Sequence, residues 1–430
     1  MTSPGFTSSQ LREQLYADVN EALKDAARRG ALTGDRPAAV TALIARALQQ
    51  HKLAAMANGR APMEPELETL LARSLFDAFT GLGDLQPLID DPDVENICVN
   101  GYDTVWVTYA GNKKVRVGPV ASSDDELVVM LQKVAASIGT QERRFDPGMP
   151  KLDLRLPGGA RLIAVQQVTE RPSVSIRRHR FMHVGLPDLV ALGAMTPQLA
   201  HLLEAMVAAR LNMIISGGMG TGKTTVLRAL ARCIDPSERL ITIEDPYELG
   251  LDTDPQHPDV VAMQPREPNI EDQGGIDMVA LVRWATRMSP DRVFVGEVRG
   301  AEVIPLLNAF NQGTDGSFST IHASTTGEAF QKIAAYARQS EQQLPFDVTA
   351  QLIAGGVDIV IQLGRAADGT RIVTGIREVV GADGIQVRSN EIFRPGSDKR
   401  AVPANRFSDT MTDRFLDAGF DPADILAGAR

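Results

Sequence analysis

The fold of this chain is decided by one stretch, Gly217-Gly218-Met219-Gly220-Thr221-Gly222-Lys223-Thr224-Thr225. Its pattern, Gly-x-x-x-x-Gly-Lys-Thr, is typical of a Walker A loop, in which small residues let backbone N–H groups turn towards an anion. The apolar run at 213–216 predicts a buried strand before the loop, and the apolar spacing after Thr225 predicts a helix. A phosphate would then lie at a helix N-terminus. The alternative is a glycine-rich turn that binds nothing.

The loop predicts a nucleotide together with a metal ion. Lys223 is expected to reach the β- and γ-phosphates, and the hydroxyl of Thr224 is expected to bind Mg²⁺. The other predicted nucleotide contacts are Gly217, Gly218, Gly220, Thr221, Gly222 and Thr225. ATP and Mg²⁺ are therefore the expected cofactors.

Composition limits the class of protein. The chain has 430 residues, enough for two to three domains at about 150 residues each. Its hydrophobic content of 43% and aromatic content of 5% favour an aliphatic α/β protein. No apolar run is long enough to cross a bilayer, and the first residues do not resemble a signal peptide. We therefore expect a cytoplasmic location.

Charge argues against nucleic acid as the main partner. The formal net charge is −10, whereas proteins that follow a polyanion usually carry a basic stripe. A ring could still hide a basic channel inside an acidic exterior.

The chain divides into four predicted segments. Residues 1–81 have helical apolar spacing and predict a helical bundle. Residues 82–186 alternate short β-type runs with turns and predict a small α/β domain. Residues 187–394 alternate strands with helices, the pattern of a parallel sheet, and residues 395–430 form a polar tail that ends in a short helix or disorder. The predicted fold class is α/β.

Acidic residues and one histidine follow the strands predicted after the loop. Glu244 and Glu248 come after the run at 240–243, where a carboxylate could polarise the attacking water; the alternative is a turn with solvated glutamates. Glu297 ends the run at 292–296 and is Walker B-like, placed to hold Mg²⁺ together with Thr224. His322 ends the run at 317–321 and is predicted to sense the nucleotide, the alternative being a structural histidine.

Arginines are concentrated in the second segment, just before the nucleotide-binding segment. Arg155, Arg161, Arg177 and Arg178 lie on or beside predicted strands. They could be solvated charges that discourage edge pairing, or some of them could face a phosphate.

The order of these motifs resembles the secretion and pilus-assembly ATPases of type II and type IV systems. The family calls them the Walker A, Asp, Walker B and His boxes. In this chain they correspond to residues 217–225, 243–249, 295–302 and 320–323. The resemblance also covers 81–88, 93–101 and the hairpin at 154–161, so that it spans about Ser74 to Phe393.

Within this superfamily the chain looks most like the tight-adherence (Tad/Flp) pilus ATPases. They share the helical front end, the Arg266-Glu267-Pro268-Asn269 stretch and residues 296–302. Conjugative type IV secretion traffic ATPases come next. Type II secretion ATPases of the general pathway typically carry a zinc module of four cysteines, and this chain has only two cysteines.

The resemblance implies a RecA-like ATPase core and a smaller N-terminal domain that clamp ATP between them in a homohexamer. It assigns Glu248 as the residue that activates water, with Glu244 as the competing candidate, and Glu297 as the Walker B glutamate. It also implies that one or more of Arg155, Arg161 and Arg177 reach the γ-phosphate.

The implied setting is the cytoplasmic face of the bacterial inner membrane, which the ring reaches through a platform protein of a pilus or secretion system. The expected activity is an ATP-hydrolysing motor for pilus assembly or protein secretion. A nucleotide-gated structural ring is the alternative from another class. A nucleic-acid translocase ranks last, because the sequence has no basic run with interleaved aromatic residues.

Overall fold

The computed structural model describes residues 8–29, 36–59, 61–137, 144–178, 183–266, 268 and 273–423. Glu267 and Asn269 of the stretch compared above lie outside these residues. The chain separates into two compact units, Met1–Arg180 and Phe181–Arg430, while the division into four segments stays a prediction. No helix in the described part of the chain is both long and apolar enough to cross a bilayer.

The first unit begins with the predicted helices. They are α1 (Ser8–Arg28), α2 (Arg36–Ala57) and α3 (Pro65–Thr80). Leu15, Ile44 and Leu75 are buried where the three helices meet. Arg12 donates from Nε to Ser74 Oγ at 2.7 Å and pairs with Asp84 at 2.8 Å, which ties α1 to α3 and to the turn that follows it.

The rest of the first unit is a six-stranded antiparallel sheet with two helices. Its elements are α4 (Gln86–Asp90), β1 (Val94–Asn100), β2 (Val105–Tyr109), β3 (Lys113–Val117), α5 (Asp124–Ser137), β4 (Lys151–Arg155), β5 (Arg161–Val165) and β6 (Ser173–Arg177). The strand order is β3-β2-β1-β6-β5-β4. Apolar side chains from one face, such as Ile97, Leu162 and Ile176, are buried in the core, and the alternation of a strand leaves the polar residues on the other face.

The second unit alternates strands with helices, as predicted. In chain order its elements are α6 (Leu186–Ala191), α7 (Pro197–Ala208), β7 (Met213–Gly217), α8 (Lys223–Ala231), β8 (Leu240–Ile243), β9 (Val260–Met263), α9 (Met278–Ala285), β10 (Arg292–Val298), α10 (Val303–Phe310), β11 (Phe318–Ile321), α11 (Thr326–Gln339), α12 (Phe346–Gly356), β12 (Ile359–Arg365), β13 (Arg371–Asp383), β14 (Gln386–Pro395), β15 (Ala401–Pro403) and α13 (Asp409–Asp417).

These strands form one nine-stranded sheet in the order β15-β14-β13-β12-β7-β11-β10-β8-β9. Neighbours from β12 to β9 are parallel, which confirms the predicted α/β class. The strands β13, β14 and β15 extend the same sheet in antiparallel pairing. Apolar side chains fill both faces, with Ile215 in one core and Ile214 in the other.

The described part of the predicted polar tail contributes to the second unit. Phe407, Met411 and Phe415 are buried in one of its cores. Ser408 caps α13, and its backbone N–H donates to the buried carboxylate of Glu378 at 3.0 Å. The cap and the apolar contacts together fix α13 on the sheet.

Asn212 joins the starts of the central strands to the ends of two helices. Its side-chain nitrogen donates to Phe310 O at 3.2 Å and Gly356 O at 2.9 Å, and its side-chain oxygen accepts from Gly316 N and Ser317 N at 3.0 Å each. The amide therefore makes every hydrogen bond it can make while 3% exposed.

We expect Asn212→Ala to destabilise the second unit by about 2–4 kcal/mol, because four buried backbone groups lose their partner. Urea and thermal unfolding followed by circular dichroism measure the loss. The control is Asn405→Ala, which removes one exposed hydrogen bond to Glu391 O. Equal unfolding midpoints for the two variants would contradict the role assigned to Asn212.

Candidate functional site

Parallel pairing brings the predicted site residues of the second unit to one edge of the sheet. In spatial order β7 leads into the glycine loop, β11 into His322, β10 reaches Glu297, and β8 leads into Glu244. The register sets Ile321 against Ser216, so His322 follows directly beside the start of the loop.

The glycine loop has the backbone that a phosphate cradle needs. Gly220 and Gly222 have φ values of 67° and 96°, which residues with a side chain rarely adopt. A Cβ on Gly217 would lie 2.6 Å from Thr221 Oγ1. Helix α8 begins at Lys223, so its free N–H groups point back into the loop. The loop therefore fits the phosphates of a nucleotide.

Lys223 holds its ammonium group inside this loop. Nζ donates to Gly217 O at 3.1 Å and to Gly218 O at 3.2 Å, and it lies 3.0 Å from His322 Nδ1. The side chain is buried, which places a cation at the site where phosphate charge is expected.

His322 joins Lys223 to Glu297. Its Nε2 lies 2.6 Å from Glu297 Oε1. Burial lowers the pKa of His322; Glu297 opposes this effect, and the positive charges of Lys223 and Arg299 add to it. The lowered pKa favours the neutral imidazole, whose Nδ1 can accept a hydrogen bond from Lys223.

Arg299 contacts the Walker B glutamate and Glu302 contacts the turn that follows it; neither was assigned a role from the sequence. Arg299 Nε donates to Glu297 Oε2 at 2.7 Å. Glu302 Oε1 accepts from the backbone N–H groups of Arg299 and Gly300 at 2.5 and 2.9 Å. An arginine two residues after a strand-end glutamate could have indicated the pair.

Glu244 and Glu248 are the two candidates from the sequence for the residue that activates water, and they have different surroundings. Glu248 Oε2 lies 3.3 Å from Thr224 Oγ1, which donates to it. Glu244 is 2% exposed, and its Oε2 accepts from the backbone N–H groups of Glu248 and Leu249 at 2.7 and 2.6 Å. Burial raises the pKa of Glu244, and these backbone hydrogen bonds oppose it.

The oxygen atoms at this edge fit a shared magnesium site. Mg²⁺ is usually held by one or two protein oxygens together with substrate phosphates and water. Thr224 Oγ1, which keeps its lone pairs while it donates to Glu248, and the carboxylate of Glu297 provide oxygens of this kind. Among the described residues, no cluster of three or more acidic, histidine or cysteine ligands forms a separate metal site.

The three predicted arginines lie in the first unit, where they form a row across its sheet. Arg155 of β4 is opposite Arg161 of β5, and Arg161 is opposite Arg177 of β6. Directly opposed residues of antiparallel strands share a face. Arg161 pairs with Asp153 at 3.1 Å, and Arg177 is exposed. Arg178, just after β6, donates to Asp91 O.

Two other arginines reach the nucleotide-binding elements and were not predicted. Arg365 donates to Gly220 O at 3.0 Å. Arg228 is 2% exposed in α8 and donates from Nε to Leu249 O at 2.9 Å. A charged residue among the apolar positions of α8 was the available signal for Arg228.

Comparison with known proteins agrees with this geometry. The family model described as Type II/IV secretion system protein matches residues 79–380. A putative conjugal transfer protein of Mycobacterium tuberculosis is 35% identical, over 73% of this chain and 88% of the relative. The type IV secretion system protein VirB11 of Brucella suis is 30% identical, over 66% of this chain and 85% of the relative.

A solved structure shows the same fold. The Legionella pneumophila ATPase DotB is 16% identical to this chain with a TM-score of 0.50, covering 80% of this chain and 84% of DotB. The order of the motifs, the position of the site residues at one edge of the sheet and the family match point to one assignment. The chain belongs to the Type II/IV secretion system protein family and is an ATPase of that family.

Proposed function

We propose that this chain is the ATP-hydrolysing motor of a type IV secretion machine and works as a homohexamer at the cytoplasmic face of the inner membrane. The observation that carries the proposal is the series of side chains at the sheet edge, in which Lys223, His322 and Glu297 follow one another beside the phosphate loop. A binding switch needs the loop alone, whereas hydrolysis also needs groups that act on water and metal.

Each side chain at this edge has one task in the proposed reaction. Lys223 neutralises the β- and γ-phosphates, and the backbone N–H groups of the loop bind their oxygens. Glu248 orients and polarises the attacking water. Thr224 and Glu297 hold Mg²⁺, which supplies charge neutralisation when bound.

His322 connects the nucleotide to the Walker B residue. Its Nδ1 accepts from Lys223 only while Lys223 points towards the loop carbonyls. When Lys223 turns to a phosphate, the imidazole is free to reorient towards Glu297 or the γ-phosphate. This exchange of partners gives His322 the nucleotide-sensing role predicted from its position.

The relatives favour conjugation and type IV secretion over tight adherence. The two reported above are named for conjugal transfer and for a type IV secretion system, and neither name refers to a tight-adherence pilus. The second candidate is pilus assembly of the tight-adherence type. The helices α1–α3 favour this second candidate, because a helical front end is one of the features in which the chain resembles the tight-adherence ATPases. Almost all of these helices lie before residue 79, where the family match begins. In either system the expected partner is an inner-membrane platform protein.

We expect Glu248→Gln to lower kcat by about 10²–10⁴-fold, because the amide cannot take up a proton from the attacking water. Turnover is measured by phosphate release, and nucleotide affinity by fluorescence of a labelled ATP analogue, which should change little. Glu341→Gln, at an exposed position, is the matched control. Undiminished turnover in Glu248→Gln would exclude it as the base.

Glu297→Gln separates a motor from a nucleotide-gated ring. We expect this variant to bind ATP and to lose at least about 10²-fold in turnover, since the neutral amide is a poorer partner for the metal. Cells that carry only this variant should then fail to export or transfer substrate. Normal export without hydrolysis would favour the structural ring.

The assignment of Arg155, Arg161 and Arg177 to the γ-phosphate stays a prediction from the family resemblance. Its test is Arg177→Ala, because this arginine is exposed. We expect kcat to fall by about 10-fold or more, since an arginine on the γ-phosphate stabilises the transition-state charge, while ADP affinity is kept. Arg116→Ala, an exposed arginine on β3 of the same sheet, is the control and should retain turnover.

A further inference from the structure

The peptide segment Glu248–Leu249 is held from two opposite sides by buried charges. On its N–H side, Glu244 Oε2 accepts from both backbone nitrogens. On its carbonyl side, Arg228 donates to both carbonyl oxygens. We propose that Glu244 and Arg228 are positioning residues that hold Glu248 at the attacking water. The proposal rests on the proposed function, in which Glu248 is the base.

Glu244 accepts three hydrogen bonds inside the protein. Its Oε1 accepts from Thr242 Oγ1 at 3.0 Å, while Oε2 serves the two N–H groups. With 2% of its surface exposed, the carboxylate has no face left for a water molecule. The carboxylate of Glu244 therefore fixes the backbone of the 248–249 segment. The carboxylate of Glu248 instead contacts the hydroxyl of Thr224, beside the glycine loop.

Arg228 holds the Glu248–Leu249 segment from helix α8, which follows the glycine loop. It follows Thr224 by four residues, so both side chains project from one face of α8. Thr224 contacts the side chain of Glu248, and Arg228 contacts its backbone. Helix α8 therefore binds the phosphate at its N-terminus and sets the position of Glu248 through its next turn.

A planar guanidinium suits this task better than any other side chain. It presents several N–H donors in one fixed plane, so that two neighbouring carbonyls can be bound with less loss of side-chain freedom than a lysine would need. Burying a cation is costly unless it is compensated. The carbonyl oxygens of Glu248 and Leu249 supply this compensation by accepting hydrogen bonds from the guanidinium.

The consequence is kinetic. If Arg228 is replaced, the backbone carbonyls of Glu248 and Leu249 lose their hydrogen-bond donor. A displacement of Glu248 by about 1 Å can then lower the rate of hydrolysis about 10²-fold. Nucleotide binding depends on the glycine loop and on Lys223, so the affinity for ATP should be unchanged. A loss in kcat with unchanged affinity therefore distinguishes positioning from a general effect on folding.

The experiment compares Glu244→Gln, Glu244→Ala, Arg228→Met and Glu248→Gln, with kcat expressed per nucleotide-binding site. In Glu244→Gln the amide oxygen can replace Oε2, and the amide nitrogen can face the hydroxyl of Thr242, so the hydrogen bonds that shape the loop are kept. We expect this variant to lose less than about 10-fold in kcat, and Glu244→Ala and Arg228→Met to lose about 10–100-fold.

Arg292→Met is the matched control for Arg228→Met. Arg292 is equally buried and also donates to two backbone carbonyls, Val207 O and Gly316 O, but it lies at the opposite end of the strands. Its variant should lose stability and keep kcat per binding site. If Arg228→Met behaves in the same way, Arg228 does not position Glu248.

The outcomes separate this proposal from the assignment of the base. A loss in Glu244→Gln as large as in Glu248→Gln would overturn the positioning role of Glu244 and make it a second catalytic carboxylate. Full turnover in Glu248→Gln would instead overturn the proposed function. Glu244→Gln tests the proposal even if Arg228→Met fails to fold, because it changes one heavy atom.

Discussion

The parallel pairing of β7 with its two neighbours is the constraint on which the site depends. Strand β7 is hydrogen-bonded to β11 on one side and β12 on the other, and each of its residues is buried. The amide of Asn212 sets where β7 and β11 begin. Because both strands are short and in register, fixing their starts also fixes which residues leave the sheet together at the other edge, where His322 meets the phosphate loop.

The charges at that edge are arranged for an anion. Two cations, Lys223 and Arg299, lie on either side of His322 and Glu297. The pKa of His322, lowered first by burial and then by these cations, favours the neutral imidazole. Glu297 accepts from Arg299 on one side and faces His322 on the other, while the ammonium of Lys223 lies against the loop carbonyls, where the phosphate oxygens are expected.

The sequence predicted the parts of this site that follow from periodicity, and it could not predict the parts that follow from packing. Strand-end residues of a parallel sheet must share an edge, so Glu244, Glu297 and His322 could be placed there without a structure. Which glutamate faces the phosphate loop depends on how the segment after β8 folds, and that is decided by Arg228, a residue of another element. The sequence allowed a short helix or disorder in the polar tail, and the burial of α13 was missed although Met411 and Phe415, four residues apart, form an apolar stripe on it.

The arginine row of the first unit places like charges on directly opposed residues of neighbouring strands. Like charges directly opposite each other in neighbouring strands destabilise a sheet, yet Arg155, Arg161 and Arg177 occupy one row of three adjacent strands. Asp153 compensates part of this repulsion at 3.1 Å from Arg161. A bound anion with several oxygens would turn this repulsion into attraction, which is the physical reason for the role at the γ-phosphate that the family resemblance predicts for the three arginines.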